Sequence, residues 1–433
     1  MRKKILLIAI PAAIHNLIDT LQLLIDILMI GRISPEAVAA VGLSGQLIIL
    51  LYSFISIFHI GTNAISSRAF GSKDKEKAYE TVFTGFLLSF LFSIPIFIFV
   101  FFYNSTFFYL MGVEKEVSEL GDTYLKILSI SIPFLFVGSV LYTGLASSGD
   151  TRTPLIIAVF SNIINTFLNY CLIFGNFGFP RLEVEGAAIA TTISYITEVL
   201  IYLFIYLNGR KIKFSYRFSP EISKKIFKIG VPAGIEKFIS FASFLVFVKI
   251  ISNFGTYTLA GYQIGLRVEG LAFMPGLGFS TAAMVLVGQY IGAKKLKLAE
   301  KSVIENLKIA SLFMGIVGIF LVLFPENIMS VFTEDLKTIK EGALYLKIVG
   351  LSQIPLAFDF VLNGALKGAG ATKITLFINN FSFWIFRIIP AYIISIYTKE
   401  VIYIYLIMIF ETFIKGMWLW ILFKIGNWKN MKI

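Results

Sequence analysis

The chain has 433 residues, of which 57% are hydrophobic and 15% are charged. A soluble domain of this length could not bury so much apolar surface, so the composition places the chain in a lipid bilayer. The single cysteine, Cys171, excludes an intramolecular disulfide framework and any multi-cysteine metal site. The formal net charge of +12 would suit a nucleic acid partner, but its distribution along the chain indicates another role.

The first apolar segment begins directly after a basic N-terminus, as a cleaved signal peptide would. It continues to about residue 30 and includes Asp19 and Asp26, so we interpret it as a helix of the mature protein. Later apolar segments have lengths near the roughly 20 residues that span the hydrocarbon. We predict an all-helical integral membrane protein with twelve spanning helices, at residues 5–30, 38–66, 79–103, 123–146, 154–175, 186–207, 226–252, 259–288, 304–324, 342–366, 373–396 and 401–424.

The two halves of the chain repeat one another at a constant offset. Pro11 corresponds to Pro232, 221 positions later, and the YLKI of residues 124–127 recurs at residues 345–348. Internal repeats are typical of secondary transporters. Because each half has six helices, both halves enter the membrane in the same direction. We therefore predict two parallel six-helix lobes related by a pseudo-two-fold axis along the membrane normal.

Loop charges predict the domain boundaries and the orientation. We predict a first lobe at residues 1–207, a basic linker at 208–224 and a second lobe at 225–433. Basic residues cluster in the N-terminus, in the loops after helices 2 and 8, and in the linker, which carries Arg210, Lys211, Lys213, Arg217, Lys224 and Lys225. The opposite loops are mostly acidic, so the positive-inside rule predicts cytoplasmic termini and a cytoplasmic linker. The basic excess is then a topology signal, and we expect no nucleic acid partner.

Helix 1 carries a stripe of residues that are costly in a membrane. Pro11, His15, Asp19, Gln22 and Asp26 are three or four positions apart, so they share one helix face. An ionisable side chain at the centre of a span costs about 2.5–3.5 kcal/mol and needs a partner, a wet cavity or a function. The two carboxylates favour a function, and the alternative is a buried network that only ties helix 1 to its neighbours. Pro11 removes a backbone hydrogen bond and permits a bend.

Helix 5 carries a second polar stripe. Asn165 and Asn169 share one face, and Asn162 lies three positions earlier. Thr191 and Thr192 on helix 6 are further candidates. Amide and hydroxyl groups of this kind bond to a carboxylate or offer neutral oxygen ligands to a cation. The alternative is that the asparagines only hold helices together.

The second lobe lacks this polar set. In the repeat register, the positions of Asp26, Asn165 and Asn169 correspond to Phe247, Phe386 and Pro390. The ionisable residues inside the helices of the second lobe lie elsewhere, at Glu236, Lys237, Arg267, Glu269 and Asp359. A structural salt bridge explains this group as well as a functional site does.

Three details of the second lobe can be predicted from spacing. Arg267 and Glu269 are two positions apart, so they do not face each other on a regular helix. Pro275 and the glycines beside it suggest a broken helix 8, where irregular backbone can line a cavity. Asp359 is predicted to pair with Arg267 or Lys237. We do not count Arg387 or the self-satisfying i, i+4 pair Glu411–Lys415 among the site candidates.

Several segments carry recognisable motifs. The loop after helix 4, residues 149–154, reads GDTRTP; residues 168–175 read LNYCLIFG; residues 186–191 read GAAIAT; and residues 287–293 read VGQYIGA. Together they resemble the motifs of the MATE (multidrug and toxic compound extrusion) family, and the resemblance runs through essentially the whole chain. It implies the V-shaped fold of that family's superfamily (MOP), with alternating access driven by entry of a proton or of sodium.

The resemblance also implies roles for particular residues. Asp26 matches the helix 1 aspartate that accepts the coupling ion and bends helix 1 near Pro11. Asn165 matches the asparagine that accompanies it, whereas Asn169 stands where DinF-like members have an aspartate. NorM-like members carry acids on helices 7 and 10, where Glu236 and Asp359 lie about one turn out of register.

We therefore predict a secondary active transporter, not an enzyme, that exports organic cationic or amphipathic compounds in exchange for H+ or Na+. The predicted coupling site comprises Asp26, Asn165, Asn169, Asp19 and Thr191, with Pro11 as the hinge and Na+ at Asp26 as one alternative. Secondary candidates in the second lobe are Glu236, Arg267, Glu269 and Asp359. The expected partners are small organic cations and the lipid bilayer. We expect no cofactor besides the coupling ion, and a monomer in a bacterial or archaeal cytoplasmic membrane.

Three other functions are weighed against this prediction. A lipid-linked saccharide flippase of the same superfamily would need cationic residues in its cavity, whereas acids outnumber bases at mid-membrane in the first lobe. A membrane-embedded enzyme is disfavoured because the only histidines are His15 and His59, and neither an HExxH pair nor a serine elbow motif is present. A channel without coupling is the third alternative.

Overall fold

The computed structural model describes residues 1–209 and 211–431, so Arg210 of the predicted linker and the last two residues of the predicted second lobe lie outside it. The helices are α1 Arg2–Ile30, α2 Pro35–Gly71, α3 Lys75–Met111, α4 Lys115–Ser129, α5 Ile132–Ser148, α6 Arg152–Phe174, α7 Glu183–Asn208, α8 Pro220–Ser252, α9 Thr256–Ala272, α10 Met274–Gly292, α11 Leu296–Leu323, α12 Pro325–Ser330, α13 Leu336–Gly368, α14 Thr372–Ser382, α15 Ile389–Tyr397 and α16 Ile402–Ile425. No strand occurs in this described part of the chain. The predicted all-helical class is confirmed.

Ten of the described helices are long and apolar enough to cross a membrane, or eleven if α4 and α5 form one bent span. All twelve predicted segments lie on helices. However, α8 is not among those that qualify. By length and composition, the structure therefore supports ten or eleven of the twelve predicted spans.

Three predicted helices are interrupted. The segment predicted at 123–146 bends by 47° between α4 and α5, where Pro133 lies in the first turn of α5. The predicted break in helix 8 is confirmed, since α9 and α10 meet at Phe273 with Pro275 in the first turn of α10. Between α14 and α15, residues Phe383–Ile388 form a π-helical segment that the sequence did not reveal.

The described residues form two compact units. The first unit is His15–Gly230, and the second unit is Met1–Ile14 together with the chain from Val231 onward. The division therefore falls inside α1 and inside α8, close to the repeat-related prolines Pro11 and Pro232. Residues 1–14 belong to a different unit from the rest of the predicted first lobe, and residues 208–230 belong to the first unit.

In the first unit, α5 packs against α2, α3 and α7, and α6 packs against α7. A core of Ile30, Val41, Tyr124, Ile173 and Val184 joins α1, α2, α4, α6 and α7. This core holds the end of α1 against α6 and α7, and thereby positions the polar face of α1.

In the second unit, α13 is the central helix and packs against α9, α10, α11 and α16. One core includes Ile5 and Ile8 of α1 together with Leu286, Leu362 and Phe423. The start of α1 is also tied by polar contacts, since Arg2 lies 2.6 Å from Glu305 of α11. These contacts explain why residues 1–14 belong to the second unit.

One of the very close helix crossings in each unit is related to one in the other unit by the repeat. In the first unit, a Cβ added at Gly230 of α8 would lie 1.9 Å from the carbonyl oxygen of Ile57 on α2. In the second unit, a Cβ added at Gly278 of α10 would lie 2.3 Å from the carbonyl oxygen of Ala9 on α1. The repeat register relates Ile57 to Gly278 and Ala9 to Gly230. The crossing is therefore repeated, with the glycine on the opposite partner.

Side-chain contacts hold the linker against the GDTRTP loop within the first unit. Lys211 Nζ donates to Asp150 Oδ2 at 2.9 Å and also to the hydroxyl of Thr153. Thr153 donates from its backbone N–H to Asp150 Oδ1 at 3.0 Å and from its hydroxyl to Oδ2 at 2.7 Å. The ring of Phe214 stacks on Tyr206 with centroids 4.9 Å apart. The GDTRTP loop thus caps α6 and holds the linker.

Replacing Asp150 by alanine is expected to destabilise the protein by about 1 kcal/mol at neutral pH, because a helix cap is lost. Partial burial disfavours the ionised carboxylate, but hydrogen bonds from Thr153 and Lys211 outweigh this and lower the pKa of Asp150. A lowered pKa contributes stability that is complete above the unfolded value of about 3.9 and is lost as the pH falls through the folded value. Thermal unfolding of wild type and D150A at pH 7 and pH 3 should show a difference that shrinks in acid. An equal difference at both pH values would contradict this.

Candidate functional site

The helix 1 aspartate lies in a buried cluster of amides. Asp26 of α1 is 9% exposed, and its Oδ1 accepts a 2.6 Å hydrogen bond from Asn169 Nδ2 of α6. Asn169 Nδ2 also donates to Asn165 Oδ1 at 2.9 Å, and Asn165 Nδ2 donates to the hydroxyl of Thr191 on α7 at 3.3 Å. The structure therefore brings together four of the five residues predicted for the coupling site.

One acceptor in this cluster has no donor. Among the described residues, the buried Asn169 Oδ1 has no hydrogen-bond partner, because Asn169 uses its amide nitrogen for both contacts. A buried acceptor without a donor is costly. With the carboxylate of Asp26 and the oxygens of Asn165 and Thr191, it forms an oxygen-rich set of the kind that hard cations prefer. The residues present therefore fit a sodium ion, and a proton on Asp26 fits equally well.

Asp19 lies outside this cluster. Its side chain is 54% exposed, 3.5 Å from His15 Nδ1, and Asn162 Nδ2 is 3.5 Å from its Oδ1. The ring of Tyr142 lies 5.0 Å from that of His15 and 6.0 Å from that of His59. The polar stripe of α1 therefore contributes to two separate locations. One is buried, at Asp26, and the other is exposed, at Asp19, two helical turns away. Thr192, the neighbour of Thr191, contacts neither and donates to the carbonyl of Ile127 at 3.4 Å.

Sequence reasoning missed Glu198 on α7. This side chain is close enough to interact electrostatically with Asp19 and His15. A signal was present, because Glu198 is an isolated acid inside the apolar run at 186–207. The first unit thus presents three carboxylates on the facing sides of α1 and α7.

In the second unit, the acid on α8 is fully partnered. Glu236 accepts from Lys367 Nζ at 2.7 Å, from the Thr375 hydroxyl at 2.7 Å and from Asn379 Nδ2 at 2.8 Å. Lys237, its neighbour in sequence, is exposed. These partners come from α13 and α14, and spacing within α8 could not have identified them.

Asp359 of α13 does not pair with Arg267 or Lys237, so that prediction is wrong. Asp359 Oδ2 lies 2.8 Å from Lys415 Nζ of α16, and its Oδ1 accepts from Asn363 at 2.5 Å. The reason is orientation: Arg267 projects from the exposed side of α9, while Lys415 projects from α16, which packs directly on α13.

Arg387 and the Glu411–Lys415 pair, which we did not count as candidates, belong to the same network. Arg387 Nη2 lies 2.5 Å from Glu411 Oε2, and Lys415 Nζ lies 3.7 Å from Glu411 Oε1. Ser382 donates to the other oxygen of Glu411 at 2.7 Å. Spacing predicts the i, i+4 contact, but only the packing of α16 on the π-helical segment supplies the arginine.

Arg267 and Glu269 face different ways, as their spacing predicts. Arg267 is exposed, whereas Glu269 is buried and accepts a short hydrogen bond from the hydroxyl of Tyr345. The four secondary candidates of the second lobe are thus not one site. Glu236 and Asp359 are linked through Asn379 and Asn363, while Glu269 lies beside Tyr345 and Arg267 lies at the surface.

Replacing Glu236 by glutamine is expected to destabilise the protein by about 3 kcal/mol, because it leaves the buried ammonium of Lys367 without its counter-ion. Coupling to the ion gradient should remain, since Glu236 is already neutralised in the wild type. The matched control is the double variant E236Q/K367M, which removes both charges and should recover most of the loss. Thermal unfolding of the two variants measures the effect. Normal stability together with lost coupling in E236Q would instead make Glu236 a coupling residue.

The apolar helices and the polar residues buried among them together indicate a class of protein. In the part of the chain that the structure describes, ten or eleven apolar helices form two repeat-related sets with carboxylates and amides buried inside them. This arrangement is typical of a multi-pass secondary transporter. The family model MatE matches residues 11–171 and 232–393, and the two matches begin 221 residues apart, as the repeats do. The chain therefore belongs to the MATE family of efflux transporters.

Individual relatives agree with this assignment. The chain is 32% identical over 405 residues to the probable multidrug resistance protein NorM of Thermotoga maritima, covering 91% of this chain and 85% of that protein. It is 30% identical over 380 residues to the probable multidrug resistance protein NorM of Bacillus cereus, covering 86% and 84%.

Solved structures share the fold. A MOP superfamily transporter from Pyrococcus furiosus superposes with a TM-score of 0.92 at 22% identity, over 99% of this chain and 97% of that one. A multidrug resistance MATE family transporter in an outward-facing conformation superposes equally well. The predicted MATE fold is confirmed, and the flippase alternative is not favoured.

Proposed function

We propose that this protein exports organic cations by alternating access, and that a proton or sodium ion entering at Asp26 drives each cycle. The observation that carries the proposal is the setting of Asp26. Its carboxylate is buried, and its hydrogen-bond donor is the neutral amide of Asn169. A buried carboxylate surrounded by neutral dipoles becomes neutral only when a cation or proton enters.

The sites of the first unit differ in ways that suit two roles. Asp26 is buried among amides, as a small ion requires. Asp19 is open, Glu198 lies near it, and its neighbour His15 lies against the ring of Tyr142. Carboxylates beside an aromatic face attract organic cations through charge and through the ring quadrupole. We therefore assign the ion to the Asp26 cluster and cationic substrates to the Asp19 region.

The curated relatives are named as multidrug resistance proteins, which supports small organic compounds as the substrates. We further propose that the chain acts as a monomer in a bacterial or archaeal cytoplasmic membrane with both termini in the cytoplasm. The proposed orientation rests on the charge distribution, because the positive-inside rule assigns the basic N-terminus and linker to the cytoplasmic side.

The energy available per cycle is modest. One pH unit is worth about 1.36 kcal/mol for each proton, so one-for-one exchange gives about a tenfold substrate gradient per unit. A membrane potential adds about 2.3 kcal/mol per 100 mV for each net charge moved. The number of ions per cycle therefore determines how strongly the protein can concentrate its substrate.

The proposal is tested by uptake of a fluorescent organic cation into proteoliposomes, with a pH gradient and a sodium gradient imposed separately. We expect one of the two gradients to drive uptake and an ionophore for that ion to abolish it. Empty liposomes control for passive distribution. Uptake that responds to neither gradient would overturn cation antiport.

A further inference from the structure

The two units differ at the position of the coupling site. In the first unit, α1 and α6 meet where Asp26 contacts Asn169. In the repeat register, Asp26 corresponds to Phe247 of α8, and Thr166 of α6 corresponds to Arg387 of the π-helical segment. These two residues also meet, since the guanidinium of Arg387 lies 5.8 Å from the centroid of the Phe247 ring. The second unit thus has a cation of its own beside the position where the first has a carboxylate.

This cation is firmly held. Arg387 donates to Glu411 Oε2 from Nε at 3.1 Å and from Nη2 at 2.5 Å, and its guanidinium lies 4.5 Å from the centroid of the Phe383 ring. Glu411 is fully buried. A guanidinium is charged at every relevant pH and matches a carboxylate geometrically.

The backbone around Arg387 differs from its counterpart in the first unit. Phe383–Ile388 is π-helical, while α6, its counterpart in the first unit, is a regular α-helix. A π-helical turn contains one more residue than an α-helical turn, and it changes the direction in which the following side chains project. The segment brings Arg387 to both Phe247 and Glu411.

The carboxylates of this network all lie near Arg387 or Lys415. Lys415 lies 2.8 Å from Asp359 and 3.7 Å from Glu411, so two basic side chains face two carboxylates. Glu269 and Tyr262 also interact electrostatically with Arg387, and Glu269 is hydrogen-bonded by Tyr345. Each of these three carboxylates therefore faces Arg387 or Lys415, whereas Asp26 has only the amide of Asn169 as a donor among the described residues.

We propose that Arg387 is a tethered cation that permanently occupies, in the second unit, the place that the coupling ion takes in the first. The chain then binds one coupling ion, at Asp26, and exchanges one ion per cycle. This inference rests on the proposed coupling at Asp26 and deepens it by giving the number of ions and by excluding the second unit as a coupling site.

The test counts ions bound by the full chain in nanodiscs, independently of substrate transport. The probes are radioactive ²²Na+ in a scintillation proximity assay and protons followed with a pH dye. We expect one ion per wild-type chain and none in D26N. R387M leaves Glu411 without its arginine and should bind a second ion. R387K, which keeps a cation, and R387M/E411Q, which removes both charges, should return the count to one.

Each outcome decides the inference. An ion retained by D26N, two ions in the wild type, or an unchanged count in folded R387M overturns it. If R387M does not fold, the comparison of wild type with D26N decides alone. Failure of the proposed function gives a different result: no gradient-driven uptake by the wild type, while one ion still binds and is lost in D26N.

Discussion

Replacing Asp26 by asparagine is expected to abolish gradient-driven transport while the fold is retained. The two side chains have nearly the same shape, and the amide oxygen introduced by D26N can still accept the hydrogen bond from Asn169. The variant cannot carry a negative charge, so neither a proton nor sodium gains energy by entering. With one pH unit imposed, accumulation should fall from about tenfold to none for one proton exchanged per monocation. Proteoliposome uptake with each gradient measures this.

The matched control for this prediction is D19N, the same change two turns earlier on the same helix. Asp19 lies outside the amide cluster and is exposed, so coupling should persist while the concentration of substrate needed for half-maximal uptake rises. Full coupling in D26N would contradict the prediction. Loss of coupling in D19N as well would place both carboxylates in one ion pathway.

Replacing Gly230 by alanine is expected to destabilise the first unit by more than about 4 kcal/mol, among the largest effects of a single substitution. The added Cβ would lie 1.9 Å from the carbonyl oxygen of Ile57. That oxygen is a backbone atom of α2 and cannot rotate away as a side chain does, so relief requires α8 to move away from α2. We expect little folded protein by fluorescence-detected size-exclusion chromatography.

The control for the glycine prediction is Gly45, which lies on α2 in the same unit. A Cβ added there meets nothing within 4 Å. Because alanine is a better helix former than glycine, G45A should be neutral or stabilising by up to about 1 kcal/mol. Equal melting temperatures for G230A and G45A would show that the crossing of α8 and α2 tolerates separation.

The contrast between the two units has a mechanistic consequence. In the first unit, the buried carboxylate of Asp26 is held by amides and can exchange its neutralising ion. In the second unit, Glu236, Asp359 and Glu411 are each held by a lysine or arginine. Breaking a buried ion pair costs several kcal/mol, so such groups do not readily exchange a small cation. The repeated fold therefore supports a different electrostatic role in each unit.

The candidate site of the first unit could largely be predicted from the sequence. Asp26, Asn165, Asn169 and Thr191 are polar residues in apolar segments, and helical spacing places those on each helix along one face. Asp19 follows the same spacing but lies outside the cluster. Spacing determines which residues share one face of a helix, but not how deeply a neighbouring helix buries each of them.

Partners in the second unit could not be predicted in the same way. Glu236 bonds to Lys367 and Asn379, and Asp359 bonds to Lys415, across 131, 143 and 56 positions of sequence. Such contacts depend on which helices pack together and on their axial registration. Sequence spacing cannot supply this information for helices that are distant along the chain.

The sequence by itself determined the class of protein, the twofold repeat, the helical segments and the identity of the buried acid, because these depend on hydropathy, spacing and self-similarity. Only the tertiary structure decided the partners of each charge, the division of α1 and α8 between the two units, and the π-helical turn that directs Arg387. The physical reason is that burial sets which residues need partners, whereas packing between helices determines which partners they find.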